Sequence, residues 1–345
     1  MQKYKIAIVG ATGFTGSELV RLLVNHPAVE ITAITSESRA GERFSDVHPH
    51  FEGICDTTLV KAAEVIDENT DLAFLALPHG VSMDYVKRFS RHRFKIVDLS
   101  GDFRLSTPDV YEAWYPKTHI FPEGFKTAVY GLPELFREQI VSARLTANPG
   151  CYPTSAVLAL APLLSAKMTD PQRIIIDAKS GVTGAGVKPG AVNHYSNVND
   201  NFKAYGISTH RHSIEIRENA EKLCGSEAAV QFTPHLLPAD RGILSTIYAR
   251  PAAEVSDEKL RRTFSEFYES APFVRLRSSP PSIKQVRGTN FCDIYVKYDQ
   301  LTGNIIVISV IDNLVKGAAG QAVQNMNLML GLDETLGLNQ VPLQP

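Results

Sequence analysis

Cysteine is scarce in this chain: four in 345 residues, at positions 55, 151, 224 and 292, far apart and with no C-x-x-C pair. That spacing excludes a zinc knuckle and a secreted disulfide framework, and it fits a reducing cytosol. An excess of charge is missing too. Lys plus Arg total 35 against 37 Asp plus Glu, a net charge of −2, which argues against a protein that works by neutralising nucleic-acid phosphates or anionic lipid and favours a small-molecule partner. Long apolar runs are absent near the start. Ile6–Val9 is only four residues, far short of a signal-peptide core or of the roughly 20 residues that span a membrane. A cytoplasmic protein with neither nucleic acid nor membrane among its partners is expected. What is present is ordinary core material, 44% hydrophobic and 21% charged, enough to bury a large core without a disulfide or metal staple. At about 100–200 residues per domain the length favours two domains.

Along the chain, Tyr4–Val9 reads as a buried strand running into Gly10-Ala11-Thr12-Gly13-Phe14-Thr15-Gly16 and then an amphipathic helix, Ser17–Asn25. Strands over Val29–Thr35, Leu72–Leu77 and Lys95–Leu99 follow, spaced by helical or mixed segments. This alternation predicts an α/β protein with an N-terminal Rossmann-type, doubly wound parallel sheet. Asn148-Pro149-Gly150 breaks the chain and places the first boundary, giving a dinucleotide-binding domain over 1–148. The second half carries Arg173–Ala178, Gln231–His235, Ile243–Ala249, Cys292–Tyr298 and Asn304–Ile311 as strands with fewer helices. That pattern predicts an α+β domain over 149–312 with a mixed or antiparallel sheet. The glycine-rich stretch Ser180–Asn201 is expected to be an ordered functional loop or an interface arm. A helical run over Asn313–Leu330, within a C-terminal segment 313–345, is expected to return to the first domain.

The glycine turn carries the first chemistry. Gly10 permits the tight bend, Gly13 lets backbone approach a pyrophosphate, and Gly16 lets the helix sit close to the strand, while the helix N-terminus offers N–H groups to the anion. Thr12, Phe14 and Thr15 lie between these glycines and belong to the same candidate cofactor site. Where an NAD site normally shows a carboxylate at the end of the second strand, this chain has Ser36, Glu37, Ser38 and Arg39. The two serines and the arginine favour the 2′-phosphate of NADP.

Cys151 follows Asn148-Pro149-Gly150, and Pro153 is well placed for a first helical turn. The thiol is therefore expected at a helix N-terminus, where the dipole and unpaired N–H groups favour thiolate and make a nucleophile. The surroundings of Cys55, Cys224 and Cys292 are those of ordinary small buried residues. An acid/base partner is sought in His210-Arg211-His212, three residues before Glu215, which can orient an imidazole if both face one side of a helix over Ser213–Cys224. His48-Pro49-His50 has no nearby cysteine or spaced carboxylate, so no metal site is expected.

These residues resemble the N-acetyl-γ-glutamyl-phosphate reductase family and, more distantly, aspartate-semialdehyde dehydrogenase. The resemblance runs along essentially the whole chain, through the glycine turn, Leu77-Pro78-His79-Gly80, Asp98-Leu99-Ser100-Gly101-Asp102-Phe103-Arg104, Tyr130-Gly131-Leu132-Pro133-Glu134, Asn148-Pro149-Gly150-Cys151-Tyr152-Pro153-Thr154, Lys179-Ser180-Gly181-Val182-Thr183-Gly184-Ala185-Gly186, His210-Arg211-His212 and His235-Leu236-Leu237-Pro238. The cysteine and histidine blocks are the specific ones. Where the family commonly has proline before the glutamate of the histidine block, this chain has Ile214.

The resemblance implies NADPH-dependent reduction of N-acetyl-L-glutamyl 5-phosphate to the semialdehyde through a Cys151 thioester, with His212 as acid/base, in arginine biosynthesis. It implies substrate contacts from Arg104, Asn148 and Glu215, and cofactor contacts from Pro78, Ser180, Gly181 and Asn313. A guanidinium such as that of Arg104 suits a phosphate. A homodimer or homotetramer is expected. Aspartate-semialdehyde dehydrogenase, or a reductase of a carrier-linked acyl phosphate, shares every catalytic element and differs only in the pocket. A non-catalytic NADP-binding redox sensor is the reading from another class, and the joint presence of Cys151 and His212 argues against it.

Overall fold

Six short strands, β1 (Tyr4–Val9), β2 (Val29–Thr35), β3 (Leu72–Leu75), β4 (Lys95–Asp98), β5 (Ala128–Tyr130) and β6 (Leu145–Ala147), form the first sheet of the computed structural model, which describes residues 3–65 and 69–344. Their order is β2-β1-β3-β4-β6-β5 and every neighbour pair is parallel. Continuous apolar runs suit such a sheet because helices cover both faces. Ile6-Ala7-Ile8-Val9 of β1 and Leu72-Ala73-Phe74-Leu75 of β3 are all at most 1% exposed. Chain order reverses between β1 and β3, and in open sheets of this kind ligands bind outside the carboxyl ends of the strands at that switch point.

Met1–Pro149 and Ala318–Asn339 make up this first unit. The helix Gly320–Met329 is buried along all ten residues, Gln321, Gln324, Asn325 and Asn327 included. Buried amides are tolerated when hydrogen-bonded. Asn325 Nδ2 donates to Gly131 O (2.8 Å) and Asn148 Oδ1 (3.0 Å), and Asn327 Nδ2 donates to Leu336 O (2.9 Å).

The second unit, Gly150–Gly317 with Gln340–Pro345, holds β7 (Thr169–Ser180), β8 (Lys203–Ala204), β9 (Val230–Leu236), β10 (Ile243–Pro251), β11 (Val274–Leu276), β12 (Cys292–Asp299) and β13 (Asn304–Ile311). These form one mixed sheet in the order β11-β12-β13-β10-β7-β9-β8. Side chains alternate across it. On β10, Ile243, Ser245, Ile247 and Ala249 are buried on the face that the helix Cys151–Ser165 covers. Ile175 and Tyr248, on the other face, are 45% and 38% exposed. Under the covering helix, the Ser155 hydroxyl bonds those of Ser245 (2.9 Å) and Ser309 (3.0 Å).

Several boundaries move. The first helix spans Phe14–Leu23 rather than Ser17–Asn25, because the turn closes at Gly13 and Ser17 N–H already donates to Gly13 O. The changeovers fall after Pro149 and Gly317, not after 148 and 312. Gly317 N–H donates to Asp312 O (2.9 Å), which keeps 313–317 with the second sheet. Leu343 N–H donates to Arg287 O (2.9 Å), so 340–345 also group with the second unit. The run from Asn313 is not one helix: a π-helical turn over Val315–Ala319 precedes the α-helix. No helix among the described residues is long and apolar enough to cross a membrane.

Candidate active site

In the first unit the glycine turn folds over the end of β2, with Gly10 and Ala11 N–H donating to Thr35 O. The three glycines do different work. Gly10 has φ +85°, and a Cβ there would stand 2.5 Å from Ala76 O; one at Gly16 would stand 2.6 Å from Ala11 Cα. Those two glycines admit the chain's own backbone. A Cβ at Gly13 would meet no protein atom within 4 Å, so its backbone is open to a ligand at the cap of the helix Phe14–Leu23, which has no side-chain capping bond. This cradle fits a pyrophosphate. Thr12, Phe14 and Thr15 are half-buried around it. Beyond β2, Ser36 is buried and Ser38 exposed. Arg39 forms a two-point ion pair with Glu42 at the surface, and Glu37 accepts from Tyr85 OH (3.0 Å) and Ala62 N–H (3.2 Å).

Pro78, Arg104 and Asn148 lie just beyond the carboxyl ends of β3, β4 and β6, where two buried carboxylates that sequence reasoning did not single out tie down the loops after β3 and β4. Asp102 accepts from Gly80 N–H (2.7 Å), Met83 N–H (3.0 Å) and Tyr111 OH (3.1 Å), which pins the loop after Pro78. Asp98 accepts from the Ser100 amide and hydroxyl. Burial and the neighbouring charge of Asp102 push the Asp98 carboxyl up to about 6. Arg104, 6% exposed, donates Nε to Asn148 O (2.6 Å) and Nη2 to Leu99 O (2.7 Å), so its fork is held by backbone carbonyls. The Asn148 amide is engaged at both ends, to Ala318 O (3.1 Å) and from Asn325 (3.0 Å). Its visible work is to hold Arg104 and the segment that returns to this unit.

In the second unit Cys151 is the first residue of the helix Cys151–Ser165, with Gly150 as cap and Pro153 in the first turn. Negative charge is favoured at that end of a helix. His212 and Glu215 both lie in the first turn of the helix His212–Cys224, which starts one residue earlier than expected. Three residues apart they share a face, and that face docks on Gly150. Glu215 Oε1 accepts from Gly150 N–H (2.8 Å), and a Cβ at Gly150 would lie 2.5 Å from His212 Nε2. The imidazole and carboxylate therefore reach the residue next to Cys151.

His210 plays a different part. Its Nδ1 accepts from His212 N–H (3.1 Å), and its ring is boxed by Tyr152, Tyr205 and Phe232. Burial, with the Arg211 charge second, pushes this imidazole down to about 4. Ser180, Gly181 and Asn313 also converge in this unit. A Cβ at Gly184 would lie 3.1 Å from Ser180 Oγ and 3.9 Å from Asn313 Nδ2. Asn313 accepts from Gly242 N–H (2.8 Å) and donates to Thr183 Oγ1 (3.0 Å). Among the described residues no group of three or more His, Cys, Asp or Glu is gathered to hold a metal ion.

Two sequence families match, described as "Semialdehyde dehydrogenase, NAD binding domain" over residues 5–143 and "Semialdehyde dehydrogenase, dimerisation domain" over residues 151–313. Proteins named N-acetyl-gamma-glutamyl-phosphate reductase from Pelotomaculum thermopropionicum and Citrifermentans bemidjiense are 49% and 51% identical, with 99% of each chain covered. Among solved structures, aspartate semialdehyde dehydrogenase II of Vibrio cholerae complexed with ASA matches with a TM-score of 0.73 at 18% identity, covering 96% of this chain and 99% of that one. Aspartate semialdehyde dehydrogenase with NADP from Candida albicans gives 0.72 at 17%, covering 95% and 99%. At such identities the likeness is one of fold.

Proposed function

The chain belongs to the N-acetyl-γ-glutamyl-phosphate reductase family of semialdehyde dehydrogenases, and from that premise we propose that it reduces N-acetyl-L-glutamyl 5-phosphate to N-acetyl-L-glutamate 5-semialdehyde and phosphate, a cytoplasmic step of arginine biosynthesis. The observation that carries the reading is the docking of His212 and Glu215 on Gly150, beside the thiol at its helix N-terminus.

Cys151 Sγ attacks the acyl carbon, and the C–O bond to phosphate breaks with its electron pair leaving on phosphate. The product is a thioester, a far better hydride acceptor than a carboxylate, so one hard step becomes two easier ones. NADPH, when bound, supplies the hydride for the reduction. His212 protonates the departing phosphate; reduction of the thioester leaves an alkoxide that takes up a proton from solvent, and the now neutral His212 removes that hydroxyl proton as the thiohemiacetal collapses and Cys151 leaves as thiolate. Glu215 holds Gly150 and stands one helical turn from His212. Arg104 places the phosphate, and Asn148 aims Arg104 through its carbonyl. Gly10, Thr12, Gly13, Phe14, Thr15 and Gly16 hold the pyrophosphate, with Pro78, Ser180, Gly181 and Asn313 as further cofactor contacts and Ser36, Ser38 and Arg39 toward the 2′-phosphate.

The decisive experiment is NADPH oxidation by the purified protein with a panel of acyl phosphates, and phosphate-dependent oxidation of the semialdehyde in reverse. Turnover of N-acetylglutamyl phosphate well above aspartyl phosphate is expected. Preference for aspartyl phosphate or for a carrier-linked acyl phosphate overturns the substrate assignment.

For the cofactor, Arg39→Leu should raise the Michaelis constant for NADPH much more than that for NADH. Equal effects on the two show that Arg39 does not read the phosphate.

The family described as a dimerisation domain covers the sheet whose outer face carries Ile175, Thr246, Tyr248, Ile306 and Ile308. The partial exposure of Ile175 and Tyr248 on that face supports a homodimer through it, or a homotetramer built of two such pairs. Tyr248→Arg should halve the mass found by light scattering. An unchanged mass places the contact elsewhere.

A further inference from the structure

Gly150 caps the helix Cys151–Ser165, yet neither usual reason for glycine applies. Its φ of −67° and ψ of 154° are extended backbone that any residue adopts, and a serine, threonine or aspartate would cap the helix better. What the missing side chain admits is the imidazole. A Cβ there would stand 2.5 Å from His212 Nε2 and 2.9 Å from Cδ2 and Cε1. That ring has little room to yield, because it is buried with the His210 ring centred 4.8 Å away and the Tyr152 ring 5.9 Å away. The Gly150 amide is held by Glu215 from the same helical turn.

Gly317 does the same for the thiol residue itself. A Cβ there would lie 2.8 Å from Cys151 Cβ and 3.2 Å from Cys151 Cα. Gly317 sits in the π-helical turn Val315–Ala319, a type of turn frequent at functional sites. Its N–H is tied to Asp312 O (2.9 Å). The fully buried Asp312 carboxylate anchors the approach by accepting from Leu314 N–H (2.9 Å), Val315 N–H (3.2 Å) and Gly288 N–H (2.7 Å).

We propose that Gly150 and Gly317 are positioning residues for the reaction: their absent side chains let the N-terminus of the Cys151 helix seat between the His212 imidazole and the π-turn, which sets the approach of thiol and imidazole. The inference rests on the reading of Cys151 as nucleophile and His212 as acid/base. Displacement of a catalytic group by about 1 Å can cost on the order of 10²-fold, and one methyl at 2.5 Å demands a shift of about that size.

The test compares G150A, H212N and the double variant in the full-length protein, following kcat, the NADPH dissociation constant and the pH profile of Cys151 alkylation by iodoacetamide. G150A should lower kcat about 10²-fold, leave NADPH binding within about twofold, and alter the alkylation profile as H212N does. In the H212N background G150A should cost no more than about twofold, because groups acting through one another are non-additive. A full additional loss in the double variant, or unchanged kcat in G150A, overturns the proposal. A fully active H212N enzyme overturns the acid/base reading and this inference with it. If G150A does not fold, G317A carries the test: slow alkylation of Cys151 and about 10²-fold lower kcat with NADPH binding retained support it, and alkylation at the wild-type rate overturns it.

Discussion

Cys151→Ser should remove turnover, by more than about 10³-fold, while NADPH still binds. A serine hydroxyl at the same helix N-terminus is a far weaker nucleophile than a thiol, and the glycine turn from Gly10 to Gly16 lies in the other unit and is untouched. Steady-state NADPH oxidation gives the first half of the result, and fluorescence titration of NADPH the second. Substantial residual activity sinks the covalent route. Mass spectrometry after acyl phosphate is added without NADPH should find an adduct on Cys151 alone. Cys55 and Cys292 are buried, and the Cys224 thiol faces Ser226 O at 3.2 Å.

His212→Asn is the second large effect, expected at about 10²–10⁴-fold in rate, the usual worth of general acid/base assistance, again with NADPH binding intact. His210→Asn should cost less. His210 serves through an unprotonated Nδ1 that accepts the His212 amide, a role the Asn carbonyl can take over, and burial keeps that ring neutral down to about 4. The histidine limb of the pH–rate profile should therefore vanish in His212→Asn and persist in His210→Asn. The reverse outcome reassigns the base and leaves the thiolate standing. A linked effect on stability follows from the same burial. Between about 6.5 and about 4 the unfolded chain binds a proton at His210 that the folded chain refuses. Its stabilising contribution is therefore complete above 6.5 and is lost as pH falls through that window. Urea midpoints should drop less steeply with acid in His210→Asn than in the wild type.

The elements that sequence made legible are those whose signals are local. A strand followed at once by three spaced glycines announces the first turn, and proline two residues after Cys151 announces a helix beginning at the thiol. The contacts that fix the site are made by residues far apart in the chain. Asp102 reaches Gly80 and Met83, Glu215 reaches Gly150, and Gly317 lies against Cys151; no spacing rule connects such pairs. The Leu77-Pro78-His79-Gly80 and Asp98–Arg104 blocks stood out as sequence, but not the carboxylate that ties one to the other. Helical periodicity over 313–330 hid the π-turn, because the extra residue leaves the apolar pattern readable on both sides. Gln321, Gln324, Asn325 and Asn327 would read as a solvent face, whereas hydrogen bonds such as those of Asn325 to Gly131 and Asn148 keep them in the core.

That core helix gives the protein an order in time. Gly320–Met329 belongs to the unit whose first strand is Tyr4–Val9, yet a ribosome makes it only after residues 150–317 are finished. At about 5–20 residues per second the nascent sheet β2-β1-β3-β4-β6-β5 waits on the order of ten seconds or more for the helix that fills its interior. During that interval the carbonyl of Gly131 and the amide of Asn148 have no Asn325 to meet. The second unit lacks only Gln340–Pro345 once Gly317 has emerged, so it can reach most of its native packing first. The half of the protein synthesised earliest thus closes its core only after nearly all of the other half has been made.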